Sequence, residues 1–241
     1  MIGGGPLSTD FVGGSYTYPN ATNEERKAIV AAHIQYTRSL LWFMANDSAV
    51  PEAVRKSLTE FGHCTDEYLD TTPPHWPHQL YVREARRLVG DFVFTSRPPT
   101  AAYEARSIGM GSYVFDCHEV QRPIHWTESH AAKDAYVVNE GEIEPKYNGS
   151  GGGSVMQTPY AIPFDTLLPK RSEVANGLAA VPVSASHVRF SSLRMEPTWM
   201  IMGHAAGQTA VMALESGIAV QDVNVSTLQA RLRADGQILY A

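Results

Sequence analysis

Apolar residues recur with a helical period between residues 22 and 46, where Ile29, Val30, Ile34, Leu40, Leu41 and Met44 form one stripe. Thr22 with Glu25 three positions on is the pattern of a capping box, so the spacing predicts a helix from about Thr22 to Asn46. A second, shorter helix is predicted from Pro51, with Val54, Leu58 and Phe61 on one face and Gly62 as its stop. Together they read as a helical hairpin, with His33 near the stripe as a structural histidine. Residues 1–20, rich in Gly, Ser, Thr, Tyr and Pro, read as an irregular opening loop. Bulky apolar runs then predict strands at Leu88–Thr95, Gly111–His118 and Lys133–Asn139, with a short helix around Thr100–Arg106. Tyr160–Pro169 reads as an extended segment in which Pro163 marks an edge or a bend. Gly177–Val183 reads as a further strand. A last helix is predicted with Ser226 and Gln229 as its capping box and Gly236 as its stop.

The chain is organised around Val181–Gly217. A short apolar run leads into a polar turn, Ser184–Glu196, and then into an apolar helix, Pro197–Ser216. Pro197 suits the first helical turn and Gly217 the position just beyond the end. Between Glu196 and Glu215 lie 18 residues without a formal charge, and Gly203 and Gly207 form a GxxxG. A membrane span is one reading of this stretch. His204 and Gln208 in mid-span, and the lack of a flanking Lys/Arg cluster, favour a buried helix in a soluble protein. Its many small residues allow close approach of another backbone or of a flat ligand; plain core packing explains them equally well. A polar turn opening a helix is also a place where backbone N–H groups can meet negative charge.

Composition changes this picture little. The 241 residues are 44% hydrophobic and 18% charged, enough to bury a core. A net charge of −6, with Lys and Arg scattered, argues against nucleic acid or an anionic membrane as partner. Cys64 and Cys117 lie in no CxxC, so two unpaired buried thiols are expected. Met1–Pro6 carries no basic, then apolar, secretory pattern, and a cytoplasmic setting is expected. Helices first, then strands with helices interleaved, indicate an α+β (mixed α/β) fold: a helical hairpin followed by a mixed sheet with helices. The expected division is 1–176, hairpin plus substrate-domain-like region, and 177–241, the polar turn and the helices after it. A Gly/Ser run from Asn148 to Ser154 reads as a linker-like loop.

Two clusters carry candidate chemistry. Arg83, Glu84, Arg86 and Arg87 crowd beside strand material; they are either solvated surface charges or a guanidinium cluster for carboxylate or phosphate groups. Asp116, His118 and Glu119, with Arg122, His125 and His130 beyond, suggest general acid–base work by His118 or His125. Their spacings match no established zinc pattern, and a metal-dependent hydrolase using His118 and His125 is the third-placed reading. His130 reads as a loop histidine.

Several segments together resemble one family. Tyr81–Thr95 is similar to the R-E-x-R-R-hydrophobic-x-G signature of FAD-dependent oxidoreductases with a glutathione-reductase-like flavin domain. Tyr113–His118 with Gln121 and Arg122 resembles the family's next strand, and Ile162–Pro169 its I-P-[YF]-x-x-L-x-P segment. Ser184–Pro197 and Gly203–Gly207 resemble its C-terminal flavin-contacting segment. The resemblance implies an FAD cofactor contacted by Ser186, His187, Arg194, Met195, Glu196, Gly203, Ala206 and Gly207. It implies His118, Arg83 and Arg87 on the side of a small-molecule substrate, which passes a hydride to the flavin. One departure stands out. Family members open with a strand, a G-x-G-x-x-G turn and a helix that hold the pyrophosphate of FAD, and Gly3–Gly5, Gly109–Gly111 and Gly149–Gly153 do not reproduce that arrangement. The expectation is therefore a partial flavoprotein fold, the C-terminal portion of such an enzyme, with the missing nucleotide-binding portion as a possible partner. The alternative is a non-catalytic remnant or partner module that binds no FAD.

Overall fold

The computed structural model describes residues 8–96, 101–126, 135–138 and 159–240. In chain order its elements are α1 (Asn23–Asn46), α2 (Glu52–Thr59), α3 (Ala101–Glu104), β1 (Ser107–Gly111), β2 (Ile124–Trp126), β3 (Ala135–Val137), β4 (Tyr160–Pro163), α4 (His187–Leu193), α5 (Glu196–Ser216) and α6 (Val225–Ala234). Helices outweigh two small antiparallel sheets, a mixed α+β fold as the pattern predicts. The chain divides into two compact units, residues 1–85 with 119–141 and residues 86–118 with 142–241. His130 and the Gly/Ser run at 148–154 lie outside the described residues.

In the first unit α1 starts where its capping box predicts. Thr22 Oγ1 accepts from Glu25 N at 3.3 Å, and Thr22 N donates to Glu25 Oε2 at 2.6 Å. Those hydrogen bonds, the backbone one first, hold the Glu25 carboxyl below its ordinary pKa. The α1–α2 hairpin forms, but neither helix buries a residue fully. Order comes instead from polar and aromatic contacts. Ser8 is buried; its carbonyl accepts from Tyr36 Oη at 2.8 Å and its Oγ from Arg122 Nη1 at 3.1 Å. Phe11 stacks on Tyr36, centroids 4.6 Å apart, and meets His33 edge-on. His33 Nδ1 lies 2.8 Å from the Ile29 carbonyl, so this histidine is structural as expected. β2 pairs antiparallel with β3, Ile124 opposite Val137.

The second unit has the apolar core. β1 and β4 pair antiparallel and lie against α5, with Ile108, Ile162, Leu193, Met202, Leu228 and Leu232 fully buried. β1 and α5 touch so closely that a Cβ on Gly109 would stand 2.2 Å from Ile201 Cγ2, which only glycine avoids. β1 is also clamped by the C-terminal residues. Gln229 Nε2 donates to the carbonyls of Ala105 and Ser107 at 3.1 and 3.0 Å, Ser107 Oγ donates to Leu239 O at 2.6 Å, and Gln237 Nε2 donates to Ile108 O. Arg106 grips Asp165 with both prongs, Nε–Oδ2 2.5 Å and Nη2–Oδ1 2.8 Å.

Several expectations need correction. Leu88–Thr95 and Gly177–Val183 are not ladder strands; a single parallel bridge, Phe94 with Ala185, links these regions. Ser184 replaces the ladder: its Oγ accepts from Gly90 N at 3.0 Å and donates to Phe92 O, while its N–H donates to Thr166 O at 2.9 Å. Gly111–His118 is likewise irregular after Gly111, because the Tyr113 carbonyl bonds a side chain, Ser192 Oγ, rather than a neighbouring strand. The polar turn Ser184–Glu196 contains α4, with Ser186 as its N-cap accepting from Arg189 N at 3.2 Å. α6 is capped by Asn224, which accepts from Thr227 N at 3.0 Å, because the Gln229 amide is committed to β1. Cys64 is exposed rather than buried, and Cys117 is buried with its thiol donating to Ser191 Oγ at 3.6 Å; neither is in a disulfide.

Candidate functional site

The site is built where residues 88–96 run beside residues 182–186. Leu88 N donates to Pro182 O at 2.7 Å, Phe94 N to Ser184 O at 3.0 Å, and Ser186 N to Phe94 O at 2.9 Å. Gly90 is required here, since a Cβ on it would sit 2.4 Å from the Leu168 carbonyl. Two stretches separate in sequence, 83–95 and 184–196, thus meet along their second halves and first halves. Arg87 follows this contact: its Nε donates to Ala185 O at 3.2 Å and its guanidinium lies 5.6 Å from the centre of the Phe190 ring. Arg83 belongs to the first unit and has a left-handed φ of 71°. His118 is half-buried at the end of the segment after β1.

The candidate cofactor residues fall into two groups. Ser186 and His187 open α4, and Arg194, Met195 and Glu196 form the α4–α5 junction. His187 and Glu196 are exposed, Met195 is half-buried and is the N-cap of α5, and Arg194 is buried in an ion pair with Asp116. Gly203, Ala206 and Gly207 lie further along α5, with Ala206 packed on the core. Gly203 and Gly207 are exposed, and a Cβ on either would meet nothing within 4 Å. Met200, Val211 and Leu214 continue that face with 72%, 47% and 82% of their surface exposed. Pro197 stands in the first turn and Gly217 closes the helix at φ 63°, as predicted. His204 does not face this open side freely: it bonds Gln237 Oε1 at 2.6 Å and Asp235 Oδ2 at 3.0 Å.

Beneath the junction lies a group that the sequence reading missed. Arg189, on α4, is 3% exposed. Its guanidinium carbon stands 4.2 Å from the Tyr160 ring centre, 4.7 Å from Phe94 and 5.2 Å from Phe115. Nε donates to Thr95 O at 3.0 Å. Tyr160 and Ser192 are 2.6 Å apart, and since Ser192 Oγ gives its proton to Tyr113 O, Tyr160 is the donor to Ser192. Burial raises the Tyr160 phenol above its ordinary pKa, opposed by the Ser192 hydrogen bond and by Arg189. Burial also lowers that of Arg189, opposed by Tyr160 and Tyr103. The only sequence signal was a charged residue inside the run Val188-Arg-Phe-Ser-Ser-Leu193, at a helix position that faces inward.

A family model described as FAD dependent oxidoreductase matches residues 4–232. The chain belongs to the FAD dependent oxidoreductase family. No curated protein and no solved structure matches it. An FAD-dependent oxidoreductase needs a surface against which a flat, largely apolar ring can lie. The residues here fit such a group on one side. On α5, Gly203 and Gly207 are open and present no Cβ, Glu196 is exposed at the start of that helix, His187 is exposed at the start of α4, and Arg194 is fixed by Asp116. Among the described residues no helix is long and apolar enough to cross a membrane. The uncharged stretch of α5 is accounted for by the core it buries, through Thr198, Met202, Ala205, Thr209, Met212 and Ala213.

The first unit offers a separate cavity of about 720 Å3 between α1 and residues 72–73. Val30, Ala31 and Ile34 line it together with Arg26, Lys27 and Arg38. Two of these cations are engaged: Arg26 with the carbonyls of Tyr18 and Pro19, Lys27 with Glu24 at 2.8 Å.

Proposed function

We propose that residues 184–207 are the flavin-facing surface of an FAD-dependent oxidoreductase that oxidises a small organic molecule in a cytoplasmic setting. The observation that carries this reading is the open surface of α5 at Gly203 and Gly207, where neither residue presents a Cβ, about two turns beyond the α4–α5 junction. Bound flavin supplies the redox chemistry, accepting a hydride equivalent from the substrate. The chain's own part is position and electrostatics. Gly203 and Gly207 admit a ring to van der Waals distance of the helix backbone. His187 and Arg194 supply polar contact, Arg194 with its guanidinium oriented by Asp116. Ser186 holds the start of α4 in register through its cap. Met195 and Glu196 border the ring's edge, and Ala206 keeps α5 seated on the core. Arg87 and His118 are assigned to the substrate side; Arg83, expected there too, belongs to the first unit and is not part of this assignment. In this reading residues 177–241 are the flavin-contacting part, residues 1–176 the substrate-domain-like part, and the pyrophosphate turn is not supplied by this chain.

Titration with riboflavin and with FAD, followed by flavin absorbance and fluorescence, tests both halves of the reading. Perturbed spectra of similar affinity for the two ligands are expected. FAD binding far tighter than riboflavin would show a pyrophosphate site within the chain. Free-ligand spectra for both would sink the flavin assignment. They would leave the second reading, a non-catalytic partner module, which is favoured by the exposed Met200, Val211 and Leu214 on one face of α5.

A further inference from the structure

Buried cations are as a rule paired with carboxylates, because an uncompensated charge away from water is costly. Arg189 breaks that rule. It is 3% exposed, and among the described residues no carboxylate pairs with it. Its charge faces aromatic rings at 4.2–5.2 Å and the Tyr160 hydroxyl, and cation–π contact compensates part of the lost hydration without satisfying the N–H donors. Nε is used by the Thr95 carbonyl, but Nη1 is buried with no acceptor. The hydroxyl of that same Thr95 is a second buried polar atom with no partner. One residue pair, already joined by the Nε–H···O=C bond, therefore presents both an unfilled cationic donor and an unfilled hydroxyl donor. The Tyr160 oxygen, which donates its proton to Ser192, accepts from the Arg189 guanidinium, and Arg189 Nη1 and Thr95 Oγ1 are still without a partner among the described residues. A guanidinium fork and a hydroxyl donor together match the two oxygens of a compact oxyanion.

We propose that Arg189 and Thr95 form a buried subsite for a carboxylate, so that the organic substrate is an acid whose carboxylate pairs with Arg189 Nη1 and Thr95 Oγ1. The substrate assignment rests on the oxidoreductase reading above; the anion subsite itself does not require flavin. The rings of Phe94, Phe115 and Tyr160 hold the guanidinium plane in place before the ligand arrives, which limits the ordering cost of binding. No bond is made or broken at this subsite; it fixes one end of the substrate.

The test uses the whole chain, without flavin, and acetate as the probe. Thermal unfolding and calorimetry are followed as acetate replaces chloride at fixed ionic strength. A saturable rise in Tm is expected, with the acetate Kd raised at least about tenfold in Arg189→Met, the effect of removing a charge-assisted hydrogen bond. Thr95→Val, nearly isosteric, should weaken acetate by a smaller factor at unchanged fold. If Arg189→Met fails to fold, Arg189→Lys replaces it: it keeps the charge, loses the fork and should still weaken acetate. Indifference of the wild type to acetate, or an equal response in the variants, overturns the subsite. Displacement of acetate by added FAD would give the oxyanion site to the cofactor and overturn the substrate assignment. Because acetate is read without flavin, failure here is separable from failure of the flavin titration.

Discussion

α1 and α5 are the two long helices of the chain, of 24 and 21 residues, and they are held by opposite means. α1 has a complete capping box, acidic residues in its first turn and a Glu24–Lys27 pair, yet none of its residues is fully buried. α5 has no side-chain cap, two glycines in its interior and six buried residues. The first is a helix by local chemistry, the second by tertiary contact. Helices in folded proteins generally depend on packing more than on propensity, so α1 is the exception and its stability should respond to different substitutions.

The largest contrast should come from core truncation. Leu193→Ala, at a position fully buried beside α5, should cost about 2–5 kcal/mol. Leu40→Ala on the half-buried stripe of α1 should cost much less. Denaturant unfolding of both variants checks this, and equal losses would erase the distinction. Next in size is Thr22→Ala, which removes the side-chain half of the capping box, the acceptor for Glu25 N, and should cost about 1 kcal/mol. The loss should be confined to faster amide exchange in the first turns of α1, with the β1–β4 amides unchanged.

Gly203→Ala sharpens the comparison from the other side. The added Cβ meets nothing within 4 Å, so the variant should be more stable by about 0.5–1 kcal/mol. The same change should weaken riboflavin binding if α5 is a flavin face. A stabilised protein with undiminished binding would move the flavin elsewhere. The smallest effect at neutral pH is electrostatic. The folded-state pKa of Tyr160 is raised by burial, so its contribution is fully present below the unfolded tyrosine pKa of about 10 and is lost as pH rises through the folded value. Melting temperature should therefore fall more steeply above about pH 10 in the wild type than in Tyr160→Phe. Parallel curves would mean that the phenol is not the titrating group.

The features legible in the sequence were those with local causes. The Thr22–Glu25 box, the hairpin, Pro197 at the start of α5 and the left-handed Gly217 each depend on residues within a turn or two. The strands at Leu88–Thr95 and Gly177–Val183 were read from apolar character alone, and their backbone partners turned out to include the Ser184 hydroxyl, which no periodicity encodes. α4 was hidden because its polar residues resemble a turn until Ser186 caps them. Arg189 was illegible for the same reason at longer range: its surroundings come from Phe94, Phe115 and Tyr160, three separate segments. Of the candidate site, residue identities came from the family resemblance. The contact between the 88–96 and 182–186 segments came only from the fold.

The clamp on β1 also sets an order of events during synthesis. The carbonyls of Ala105, Ser107 and Ile108 find their donors on Gln229 and Gln237, and the Ser107 hydroxyl finds the Leu239 carbonyl. A nascent chain that has emerged through α5 still has those backbone groups unsatisfied and the Leu228 and Leu232 places in the core unfilled. The second unit therefore cannot close until residues 228–239 leave the ribosome, and for that interval β1 and the core face of α5 are exposed to solvent and to chaperones.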